Sequence, residues 1–70
     1  PALRAPLTET FAWLRGRFTE LLTEAGRANP GQTAATVVAT LQGGYVLARA
    51  GGDPAAFTDA VEGLIALLED

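Results

Sequence analysis

Leu41-Gln42-Gly43-Gly44-Tyr45-Val46-Leu47-Ala48-Arg49-Ala50-Gly51-Gly52-Asp53-Pro54-Ala55-Ala56-Phe57 is the stretch on which the fold turns. Its first ten residues repeat apolar side chains at three- and four-residue spacing, which is a helical period. Gly51 and Gly52 end that helix. Asp53 then offers a side-chain acceptor for unpaired N–H groups, and Pro54 suits a first helical position, so a new helix starts at once. Two helices meeting at so short a corner pack side by side, and no residue here calls for a strand.

Working upstream, Ala34, Val37, Leu41, Tyr45 and Ala48 fall on one face of the first of these helices, with Val38 flanking it. Ala35, Ala39, Val46 and Ala50 lie round the side, so apolar residues cover most of the circumference and the helix is expected to be surrounded. Thr33 is the expected N-cap, and Ala28 to Gly31 is read as a turn around Pro30. Gly43 and Gly44 each cost about 0.5–1 kcal/mol relative to Ala inside a helix, so something should approach the backbone closely there.

Further upstream, Leu7, Phe11, Leu14, Phe18, Leu21, Leu22 and Ala25 form an amphipathic stripe over five turns. Pro6 fits the first turn of that helix and Gly26 its left-handed end. Downstream, Phe57, Val61, Leu64, Ile65 and Leu68 form the main stripe of the last helix, beside a smaller face of Ala56, Ala60, Gly63 and Leu67. The expected fold is all-α, a three-helix segment with helices over about 7–26, 33–50 and 54–69.

Composition narrows the function. The chain of 70 residues has no Cys and no His, which removes a thiolate, an imidazole base and the usual zinc ligands. Glu20 and Glu24, one turn apart beside Arg17, read as a solvated face. No catalytic residue, metal or cofactor is assigned, and the chain is not expected to be an enzyme. Five Arg against eight acidic residues give a net charge of −3. The Arg residues are scattered, so there is no phosphate-binding stripe.

The stretch Ala28 to Ala48 carries no charge and is long enough to cross a bilayer, but Asn29, Gln32, Thr33, Thr36, Thr40 and Gln42 make it too polar. No membrane association is expected. The chain starts at Pro1 without a signal-like leader and is read as a fragment of a cytoplasmic protein. A core of this size contributes roughly 3–5 kcal/mol at most, and without disulfide or metal a partner is the expected source of further stability.

Leu41 to Phe57, with its Gln-Gly step leading through a short turn to Asp-Pro, resembles the last two helices of TetR-type transcriptional regulators. Phe11, Phe18, Leu22 and Ala25-Gly26 are similar to the long helix that precedes them, so the resemblance covers nearly the whole chain. It implies the C-terminal sensing and dimerisation part of a homodimeric repressor. In that family a small inducer binds this domain, the last two helices pair across a twofold axis into a four-helix bundle, and DNA is bound through an N-terminal helix-turn-helix that this chain has no room for. The competing reading is a free-standing helical interaction module with no ligand.

Two sets of residues follow. Trp13, Phe18, Leu41, Gln42 and Tyr45 are the ligand-binding candidates, for a small apolar or aromatic inducer, since they offer aromatic surface and two polar tips. Trp13 sits off its helix's apolar stripe, among Glu9, Arg17 and Glu20, and serves either a pocket or missing part of the protein, or simply lies along its own helix. Gln42 and Tyr45 could equally be core side chains bonded to nearby backbone. The dimer candidates are Ala35, Ala39, Val46, Ala60, Gly63 and Leu67, because small residues at helical spacing let helix axes come close.

Lacking a recognition helix and a basic patch, the isolated chain should show no preference for any DNA sequence. A sequence-selective, salt-dependent mobility shift with this segment alone would overturn that reading.

Overall fold

The structure, a computed structural model, describes residues 4–69, with side chains from residue 7 onward. Three helices make it up: α1 (Arg4–Glu24), α2 (Pro30–Gly51) and α3 (Ala55–Glu69). No strand occurs among the described residues. The chain divides into two compact units, one reaching to Val38 and the other starting at Ala39, so that α2 contributes to both.

In the first unit, α1 ends because Gly26 takes a left-handed φ of 77°. The Gly26 N–H then donates to the Thr23 carbonyl and the Arg27 N–H to the Leu22 carbonyl, each at 3.0 Å. These two bonds satisfy the last-turn carbonyls, and only a residue without Cβ adopts that φ without strain. The helix begins earlier than its apolar stripe, at Arg4, which leaves Pro6 within the first turn.

The start of α2 differs from the sequence expectation. Pro30 is its first residue, and the Thr33 N–H donates to the Asn29 carbonyl at 3.0 Å, so Thr33 lies inside the helix and is not its cap. The physical reason is that the fixed φ of Pro suits a first helical position and its missing N–H would have had no helical partner anyway. The bend is made instead by Asn29, at φ 52°, one of the few side chains that tolerate the left-handed region. The buried members of this unit are Ala34 and Val37. Phe11, Leu14, Phe18 and Leu22 of α1 are half-buried, while Leu7 and Leu21 at the edges of their stripe are exposed.

In the second unit one residue closes α2 and opens α3. Gly52 takes φ 64°, and the Asp53 N–H donates to the Ala48 carbonyl at 3.0 Å, ending α2. The Asp53 carboxylate meanwhile accepts from the Ala55 N–H at 3.0 Å, capping α3. With Pro54 between them, the chain turns from one helix into the next without a loop.

Gly44 is the buried member of α2 in this unit. A Cβ at that position would stand 3.0 Å from the Cβ of Ala60 and 3.4 Å from Cδ1 of Phe57. The close approach that the paired glycines implied is thus made by α3, at Gly44, and nothing comes within 4 Å of a Cβ at Gly43. This contact rotates the inner face of α2. The inward line runs through Leu41, Gly44 and Ala48, and Tyr45, expected on that face, is exposed. On α3, Leu64 is the buried residue, with Val61 and Leu68 half-buried, whereas Ile65 stands at the edge of the stripe and is half exposed.

Gly44→Ala should destabilise the fold by about 1–2 kcal/mol, since overpacking of about 1–3 kcal/mol outweighs the gain in helix propensity of about 0.5–1 kcal/mol. Gly16→Ala on α1, where a Cβ meets open space, should stabilise by about 0.5–1 kcal/mol. Urea midpoints moving in opposite directions would bear this out. A Gly44→Ala midpoint at or above wild type would show that α3 is not held at this distance.

Candidate functional site

The ligand candidates divide between the two units. On α1, Trp13 is 64% exposed. It lines an open concavity of about 440 Å³ with Gly16, Arg17 and Glu20. Gly16, having no side chain, leaves the space beside the indole, and Arg17 pairs with Glu20 at 2.7 Å along the same face. Phe18 is five residues from Trp13, well over a quarter turn round a helix, and is half-buried on the apolar side. The two aromatic side chains therefore do not share one surface of α1.

In the second unit Leu41 is half-buried, and Gln42 and Tyr45 are exposed. Within the second unit neither Gln42 nor Tyr45 is a core side chain. The Tyr45 hydroxyl accepts from Arg49 Nη1 at 3.0 Å, and the guanidinium carbon lies 5.8 Å from the ring centroid. That hydrogen bond, reinforced by the charge interaction with Tyr45, raises the Arg49 pKa above its ordinary value. The pair is local, one turn apart at the end of α2, where a cation also suits the helix dipole.

The chemistry available at these positions is apolar contact and hydrogen bonding. The hydroxyls of Thr19, Thr23 and Thr36 donate to carbonyls four residues back in their own helices, at 2.7, 2.7 and 3.2 Å, and so are turned to the backbone. Among the described residues no three His, Cys, Asp or Glu come together as a metal set. No helix of the described residues is long and apolar enough to cross a membrane.

The dimer candidates fall into two groups. Ala39, Val46, Gly63 and Leu67 are exposed, Leu67 at 72% and Val46 at 53%. Ala35 is half-buried, and Ala60 is half-buried with its methyl turned to Gly44 of the same chain. A charge placed at Ala60 would therefore disturb the α2–α3 contact directly. Two exposed positions were missed by reading the sequence, Leu47 and Ile65, which join Val46 and Leu67 as open apolar surface, while Gly43 is half-buried and has nothing within 4 Å of a Cβ placed there. The signal for Gly43 was present in the pair of glycines, since adjacent residues on a helix point about 100° apart and one crossing cannot explain both.

Residues 1–67 match the model of a protein family described as the tetracyclin repressor-like C-terminal domain. No curated protein and no solved structure shows a significant match to the chain.

Trp13, the one Trp of the sequence, gives a direct optical check on this surface. Its fluorescence in the isolated chain should be quenched by acrylamide nearly as efficiently as that of free tryptophan, and Trp13→Ala should change stability by less than about 0.5 kcal/mol. Strong protection from the quencher would show that the α1 face is covered.

Proposed function

Because the chain belongs to the family of tetracyclin repressor-like C-terminal domains, and is thus a segment of a TetR-type regulator, we propose that it serves as the sensing and dimerisation part of a repressor released from DNA by a small inducer. The observation that supports dimerisation best is an imbalance in apolar surface. Ala34, Val37 and Leu64 are the buried apolar side chains, while Val46, Leu47, Ile65 and Leu67 of α2 and α3 stand in the open. Apolar surface on this scale is stabilised by burial against a partner, at about 25 cal/mol per Å².

The partner is a second copy of the same chain. Ala39, Gly43 and Val46 follow one another at four- and three-residue spacing on α2, about 100° or more round the helix from Gly44. Gly63 and Leu67 stand one turn apart on α3. A Cβ at Gly43 or at Gly63 meets nothing within 4 Å in its own chain, so each glycine weakens its helix without an intrachain return. Two such helices from each of two copies form a self-complementary four-helix bundle across a twofold axis. DNA contact then belongs to a helix-turn-helix elsewhere in the parent protein, as the scattered Arg residues of this segment require.

Sensing rests on the exposed aromatic and polar groups. In the first unit Trp13 supplies exposed aromatic area, with Phe18 half-buried on another side of α1, and in the second Gln42 and Tyr45 supply hydrogen-bonding tips beside the half-buried Leu41, each of a kind that orients small apolar or aromatic ligands. The cytoplasm is the compartment in which such a regulator meets DNA. A parent reading frame with no basic helix-turn-helix would leave instead a helical interaction module.

Val46→Glu and Leu67→Glu are the clean tests, because both side chains are exposed and neither takes part in the Gly44 contact. In the parent protein each should weaken dimerisation at least about a hundredfold, roughly 3 kcal/mol or more, by placing an unpaired charge in an apolar seam. Sedimentation of a wild-type parent that is monomeric at micromolar concentration, or of a dimer indifferent to both substitutions, would place the seam elsewhere.

For the inducer, a compound that releases the parent from its operator should alter Trp13 emission, and Tyr45→Ala should weaken its effect about tenfold or more. Unchanged Trp13 emission with every active inducer would remove Trp13 from the binding surface.

A further inference from the structure

We draw no further inference here: the strongest candidate, the open groove on the polar face of α1 lined by Trp13, Gly16, Arg17 and Glu20, lies on a single helix whose Arg17 is already paired with Glu20, and nothing in the structure shows what covers it.

Discussion

The distance between α2 and α3 is set by a hydrogen atom. Gly44 carries no side chain, and the methyl of Ala60 stands closer to the place of a Cβ there than ordinary contact allows, with the ring of Phe57 at contact distance. Close packing is stiff at this scale, since an added methyl must displace its neighbours or strain a rotamer. Several features of the second unit depend on that approach. It turns Leu41 and Ala48 inward, leaves Tyr45 outside, and brings Leu64 of α3 under cover. The orientation of each helix about its own axis, and hence which apolar residues remain outside, follows from where the two backbones come nearest.

Much of the fold was legible because helix ends are written in residue types with few alternatives. Gly26 and Gly52 hold left-handed φ values, and Asp53-Pro54 opens the last helix, each as its chemistry dictates. The misreading at Pro30 has a definite cause. Pro followed by Gly serves equally as the middle of a turn or as the first residues of a helix, and the choice was made by Asn29, which absorbed the left-handed conformation itself. Tyr45 and Ile65 went the other way for a related reason. Periodicity locates an apolar face to within about one residue either side, whereas the actual contact is chosen by the smallest side chain on offer.

The functional surface was less legible. Family membership follows from a match over residues 1–67, but the identity of individual contacts depends on shape. The spacing of Ala60 is right for either side of α3. Only the position of Gly44 decides that its methyl faces inward. Trp13, by contrast, stands out in the sequence because an indole off the apolar stripe has no obvious shelter, and it is open in the structure. What it contacts in the complete regulator is a matter of the surfaces brought to it.

The corner at Asp53 bears on how the protein can vary. Its backbone N–H closes α2 while its carboxylate caps α3, so a single residue belongs to the ends of both helices. Connections between helices ordinarily absorb insertions at little cost, because lengthening a flexible loop changes its closure entropy only slightly. Here there is no slack to lengthen. One residue inserted between Ala48 and Ala55 would separate the two roles of Asp53 and turn α3 about its axis relative to the end of α2. Related chains with this corner should therefore differ in residue type along their helices far more readily than in the number of residues joining them.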